Sequence, residues 1–334
     1  MTLSAMPFGM PITALIGANY LGAAFSLSSL SVHAIAAAMI LLAVFLNYRG
    51  VELSGKVQVG VVAVIIMILL FTVCSSISFV RIEEFTLFFS HGVKPVFTVM
   101  NLLFFAFVGW EIVGNMAEEF YNPKKDIPLS LFIGFSVIIV LYMAIAVVTI
   151  GSGLYKTCSS SSVMMNLVEA SWGKGSGIIM AFLATIICYC AIHTYIAGFS
   201  RLVYSEAREG DFPKIFSKLH PKYQSPYTAL LIFIPINLGI LALSLVFSWQ
   251  LDALISIPST TFLLGYILSM MASVKVLKNK VGKVCAVIST VLCIAIFVFS
   301  GKTMIYPICV MLTALCLCRN KNKDIDIEEN CVNQ

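Results

Sequence analysis

One carboxylate sits where the sequence makes it expensive. Glu111 lies in FFAFVGWEIVGNMAEEFYNPKKDIP (Phe104–Pro128), two residues after Gly109 and inside a run apolar enough for a membrane span. An ionisable side chain at a span centre costs roughly 2.5–3.5 kcal/mol on the insertion scale and is functional by default. Of the 16 acidic residues, the others fall in loops, at span ends or in the C-terminal tail. The second group of interest is His193, in CYCAIHTYIAG, the histidine deepest in an apolar run. Its imidazole can titrate near neutral pH and help couple protons, or stay neutral and hydrogen-bond two helices together. Cys188 and Cys190 stand two apart on a helix, face different ways and read as packing residues rather than a metal pair. With no triad, phosphate loop or metal cluster in view, the chain reads as no enzyme, with no cofactor and no bound metal.

Gly109 has two readings. On an unbroken helix it lets a neighbouring helix approach closely. On a discontinuous helix the chain unwinds there, and the following half-helix presents its N-terminal N–H groups to an anionic group. Glycine permits the dihedrals of such a break and leaves room for a ligand near the backbone.

The elements that must position these residues follow from composition. The 334-residue chain is 60% hydrophobic and 11% charged, against about a quarter charged in soluble domains. Its apolar residues come in blocks of about 16 to 27, close to what a helix needs to cross the hydrocarbon core. The fold class is therefore all-α and polytopic, in a lipid bilayer. Ten spans are expected, at about 8–28, 31–47, 57–79, 96–117, 129–152, 176–202, 227–248, 251–273, 281–300 and 302–318, with a polar tail over 319–334. Met1–Pro11 shows no signal-peptide pattern.

Lysine and arginine set the orientation. With Met1 inside, 16 of the 21 basic residues fall in inner loops and tail and five in outer loops. The positive-inside rule then puts both termini in the cytoplasm. The net charge of +5 is spread over short loops and signals no nucleic acid. In the loop AEEFYNPKKDIP, Asn122-Pro123 starts a turn, Asp126 is placed to cap the next helix and Pro128 sits in its first turn. Ser259-Thr260-Thr261, after Pro258, offers hydroxyls near mid-membrane.

Three stretches in order carry a family resemblance. FFAFVGWE…AEEFYNPKKDIP resembles the sixth-helix signature of the amino acid–polyamine–organocation (APC) transporters. NYRGVELSGKVQ (Asn47–Gln58) resembles the loop before that family's fifth helix, and SRLVYSEAREGDFPKIFSKLHPKYQSPYTAL (Ser200–Leu230) the loop between its eighth and ninth. The resemblance runs from about Met1 to about Arg319, and within the family is nearest to small bacterial exporters of methionine and branched-chain amino acids. It implies a LeuT-like fold of twelve spans, ten of them in two inverted repeats, with substrate at mid-membrane between two broken helices. The ten spans here then correspond to the family's third to twelfth, so that two spans, about 40 residues or more, are expected to be lacking. A wrongly chosen start, a truncated gene or a completing partner would account for this, and a non-transporting remnant or scaffold is the alternative reading.

Residue by residue, the resemblance implies that Phe105 is a gating aromatic and that Ala106, Phe107, Val108 and Gly109 form the unwound, substrate-contacting segment. Glu111 stands where the family often has a gating and coupling glutamate, and His193 joins it as a candidate coupling group. The implied function is secondary transport of neutral, apolar amino acids by alternating access in the cell membrane, with export as the direction and a proton or counter-substrate as coupled partner. Val57–Phe79 carries no charge, whereas some members place a coupling lysine in that span.

Overall fold

Every described element is helical. The computed structural model describes residues 2–50, 55–85, 92, 94–110, 120–156 and 163–316. In order, the helices are α1 (Thr2–Phe25), α2 (Ser29–Tyr48), α3 (Gly55–Ser76), α4 (Lys94–Phe104), α5 (Pro123–Ser152), α6 (Val163–Trp172), α7 (Lys174–Glu209), α8 (Tyr227–Val246), α9 (Leu251–Val276) and α10 (Lys280–Val298). A last apolar helix, α11, covers Gly301–Cys316. Among the described residues eight helices are long and apolar enough to cross a bilayer: α1, α2, α3, α5, α7, α8, α9 and α10. Pro95–Phe107 and Gly301–Cys316 are shorter apolar helices. Helices suit such sequences because each satisfies its own backbone polar groups where no water is available. The chain is a polytopic helical membrane protein. Its tail, 319–334, lies outside the described residues.

Local chemistry sets several helix ends. Ser28 caps α2 by accepting from the Ser31 N–H at 3.3 Å. At α5 the outcome differs from the sequence expectation. The helix starts at Pro123, whose fixed φ and missing N–H suit a first helical position, and Pro128 lies inside it. Asp126 reaches back instead, its Oδ2 accepting from the Asn122 N–H at 2.9 Å. The carboxylate thus serves a donor just outside the first turn, where the helix dipole also favours it.

The chain forms two compact units. One comprises the described residues of Met1–Gly9, His91–Val108 and Gln250–Gln334. Its centre is α9, where Leu254, Pro258 and Leu263 are buried. Phe97 of α4 stacks on Phe299 beyond α10 at 4.6 Å, and Phe104 meets Tyr266 of α9 edge-on at 5.6 Å. Tyr306 of α11 donates its hydroxyl to the Ser4 carbonyl at 2.7 Å and meets Phe8 edge-on. The outer face of α10 is apolar and exposed, with Val281 at 68% and Val291 at 60%, as a lipid-facing helix requires.

The other unit comprises the described residues of Met10–Ser90 and Gly109–Trp249. Here α2 and α8 pack along stripes at helical spacing, Ala36, Ile40 and Ala43 on one and Leu230, Phe233 and Leu241 on the other. His33 of α2 bridges to Ser244 of α8, its Nε2 lying 3.2 Å from the hydroxyl. Close approach of α1 to α7 depends on Gly17, where a Cβ would stand 2.8 Å from the Cys188 Cβ. At the membrane-flanking turns, Lys156 pairs with Glu84. That hydrogen bond holds the Lys156 ammonium above its ordinary pKa.

Candidate functional site

The helix that begins at Lys94 does not continue through the FFAFVGW run. α4 ends at Phe104, and Phe105–Phe107 tighten into one 3-10 turn, closed by the Val108 N–H donating to the Phe105 carbonyl at 3.3 Å. Val108 is extended, with φ −80° and ψ 145°, a conformation that suits a β-branched residue. Gly109 follows with φ +123°, which side chains of L residues rarely adopt and which glycine tolerates. Four expected site residues thus fall on the turn and its exit, and the fifth, Gly109, makes the reversal. Non-helical backbone at membrane depth is tolerated only where protein buries it or water lines it. Glu111 lies outside the described residues.

Each side of the break is anchored. Before it, Asn101 of α4 is 3% exposed and clasps α9. Its side-chain amide donates to the Thr260 hydroxyl at 3.2 Å, and the Ser259 hydroxyl donates to its main-chain carbonyl. Thr260 also lies 3.1 Å from the Thr303 hydroxyl. Because Asn101 stands one turn before Phe105, the clasp fixes the turn that leads into the break. The mid-membrane hydroxyls after Pro258 are accordingly buried and engaged: Thr261 donates to the Ile257 carbonyl at 2.8 Å. Phe105 packs toward α1, its ring edge 3.9 Å from where a Cβ on Gly9 would stand.

After the break, Trp110 lies edge-on to Phe135 of α5 at 6.2 Å. Gly134 makes room for the indole, which comes within 3.4 Å of the position a Cβ there would take. Beside Gly109 stands the hydroxyl of Tyr195 of α7, 3.9 Å from where a Cβ on that glycine would be.

His193 serves a different face of α7. It is 3% exposed, and Asn47 of α2 places its amide nitrogen 3.2 Å from both the ring Nδ1 and the main-chain carbonyl of His193. The same amide donates to the Ala43 carbonyl at 2.8 Å. Asn47 and Asn101 were not singled out from sequence, although each is a polar residue within an apolar helical stripe. Tyr195 carried no signal of its own, because an aromatic in an apolar run is ordinary.

The described residues thus form a many-span helical bundle in which α4 ends in a 3-10 turn just before Gly109. The family model for amino acid permeases matches residues 1–320, and the chain belongs to that family. It is 35% identical over 306 residues to the uncharacterized amino acid permease YecA of Bacillus subtilis (strain 168), covering 91% of this chain and 72% of that protein. It is 26% identical over 339 residues to the L-methionine/branched-chain amino acid exporter YjeH of Escherichia coli (strain K12), covering 96% and 76%. The branched-chain amino acid permease BcaP of Bacillus subtilis (strain 168) is 27% identical over 234 residues, covering 69% and 49%. This chain is a membrane protein of amino-acid transport.

Proposed function

We propose that the protein moves neutral, apolar amino acids such as methionine, leucine, isoleucine and valine across the cell membrane, and that it exports them. The break over Phe105–Gly109 is the substrate site in this reading. The observation that carries it is the φ of +123° at Gly109, in the segment whose sequence resembles the family's unwound helix. Unwound backbone offers carbonyls to an ammonium group, and half-helix N-termini offer N–H groups to a carboxylate. The apolar side chains of Phe105, Ala106, Phe107 and Val108 suit an aliphatic or thioether side chain. Likeness to a methionine and branched-chain exporter and to a branched-chain permease supports the same substrate class.

Glu111 is the gating and coupling carboxylate in this proposal, working by alternating access with a proton or a counter-substrate as the second partner. His193 we read as a helix tie rather than a coupling group, a reading supported by its burial and its two contacts with Asn47. Both termini are cytoplasmic, as the basic inner loops direct.

The test is transport by purified protein in proteoliposomes loaded with unlabelled amino acid. Labelled methionine and leucine are expected to exchange, lysine and glutamate are not, and Glu111→Gln is expected to slow exchange at least about tenfold, or ~1.4 kcal/mol of barrier. Exchange of lysine in preference to leucine would overturn the substrate class. An unaltered Glu111→Gln rate would overturn the role of the carboxylate.

A further inference from the structure

The exposed face of α2 ends on a cation for which the chain itself supplies no anion. Leu41, Leu42 and Phe45 are exposed, while Ala36, Ile40, Ala43 and Asn47 of the same helix are buried. Because α2 is long and apolar enough to cross a bilayer, this outward stripe faces lipid. Arg49 continues it one turn beyond Phe45 and is itself exposed. Its guanidinium folds back over the Phe45 ring, 5.0 Å from the centroid, which holds the charge at the level where the apolar stripe stops. A guanidinium is a fork of N–H donors, and among the described residues neither a carboxylate nor another acceptor engages this one.

A second cation stands on the adjoining turn. The Ser225 hydroxyl donates to the Tyr48 carbonyl at 2.8 Å. Gly50 approaches Tyr223 so closely that a Cβ on the glycine would lie 3.2 Å from the Tyr223 carbonyl oxygen. These contacts tie the turn before α8 to the end of α2, within one compact unit. Lys222 of that turn is exposed, with its ammonium 5.4 Å from the Tyr223 ring centroid. It too has no ion-pair partner among the described residues. Two such cations make a local positive field, and at the end of a lipid-facing apolar stripe the anion at hand is a lipid phosphate. Basic pockets at membrane boundaries bind anionic headgroups, and the guanidinium fork matches phosphate bidentately.

We propose that the end of α2 is a binding site for an anionic phospholipid. Arg49 and Lys222 hold the headgroup phosphate, and Leu41, Leu42 and Phe45 carry the first part of an acyl chain. The site is independent of the break at Gly109 and stands whether or not that break binds substrate. A zwitterionic lipid brings the same phosphate with a cation attached, so the pair of basic residues selects against it.

The experiment titrates the full chain in detergent with dioleoyl phosphatidylglycerol, dioleoyl phosphatidylcholine and glycerol phosphate, and reads bound ligand by native mass spectrometry. Melting temperature establishes that each variant is folded. Phosphatidylglycerol is expected to bind at least about fivefold more tightly than phosphatidylcholine. Arg49→Gln and Lys222→Gln are each expected to weaken phosphatidylglycerol about fivefold, the worth of one cation at a lipid surface, and phosphatidylcholine less than about twofold. Lys280→Gln, at the start of α10, is the control cation and is expected to leave both affinities unchanged. An equal loss in Lys280→Gln shows diffuse charge rather than a site and overturns the proposal. An unchanged affinity in Arg49→Gln or in Lys222→Gln overturns it as well. Glycerol phosphate binding as tightly as the lipid overturns the membrane source in favour of a soluble phosphate. A dimer that Arg49→Gln turns into a monomer assigns the face to a second copy of the chain instead.

Discussion

Asn47 of α2 and His193 of α7 are 146 residues apart, and one side-chain amide of Asn47 lies 3.2 Å from both the ring Nδ1 and the main-chain carbonyl of His193. Both residues are buried, so neither can turn to water if the other is removed. Interhelical hydrogen bonds of this kind in membranes are worth ~0.6 kcal/mol on average and up to ~1.7. Asn47→Leu is expected to destabilise the protein by about that amount, measured by thermal unfolding in detergent. A helix tie does not carry protons, so the dependence of transport on pH between about 5.5 and 8, where a histidine would titrate, is expected to keep its shape in His193→Gln. A profile flattened by that substitution would return His193 to a coupling role.

The clasp of Asn101 on Ser259 and Thr260 makes a second prediction. Asn101→Leu removes the amide bond to Thr260. The Thr260 hydroxyl keeps the Ser256 carbonyl and Thr303, while Ser259 keeps the main-chain carbonyl, so a cost of ~0.6 kcal/mol and up to ~1.7 is expected. The substitution also frees the turn before Phe105. Both the melting temperature and the transport rate are expected to fall. Thr303→Val removes only one outer contact of the network and is expected to be the milder change. Equal stability of Asn101→Leu and wild type would contradict the clasp.

Away from the break, His220 holds the turn before α8. Its Nδ1 accepts from the N–H groups of Lys222 and Tyr223, both at 3.2 Å. Its ring stacks on Tyr223 and meets Tyr48 edge-on. His220→Phe keeps the ring and loses the acceptor, so a loss of about 1 kcal/mol is expected. His220→Asn restores an acceptor without the ring. If the phenylalanine variant unfolds at the wild-type temperature, the two backbone bonds contribute nothing measurable.

Much of this protein can be read from its sequence, for definite physical reasons. Apolar blocks of span length leave helices as the available structure, so the all-α membrane fold needs no tertiary information. The FVGW run announces its own interruption, because a β-branched residue followed by glycine after three phenylalanines and an alanine is poor helix and permissive backbone at once. Other features depend on partners far along the chain. Nothing local to Asn101 says that its amide will find Thr260, and nothing local to Tyr195 says that it will stand beside Gly109. The start of α5 is not legible locally, because Asp126 resembles a cap for a later helix. Pro123 already supplies a first helical residue, and the carboxylate turns back to Asn122. Likewise nothing local to Ser259 and Thr260 says that Asn101 of α4 will engage them.

The central claim is that amino-acid flux depends on the backbone reversal at Gly109. Gly109→Ala puts a Cβ on a residue with φ +123°, a conformation that costs a non-glycine residue about 1–3 kcal/mol, so the break must distort. Gly239→Ala in α8, where a Cβ meets open space, is the matched control and favours its helix slightly. The deciding measurement is leucine exchange in proteoliposomes by the two variants at equal, folded protein density. The account predicts flux near wild type for Gly239→Ala and at least about a tenfold loss for Gly109→Ala. Wild-type flux through Gly109→Ala would contradict it.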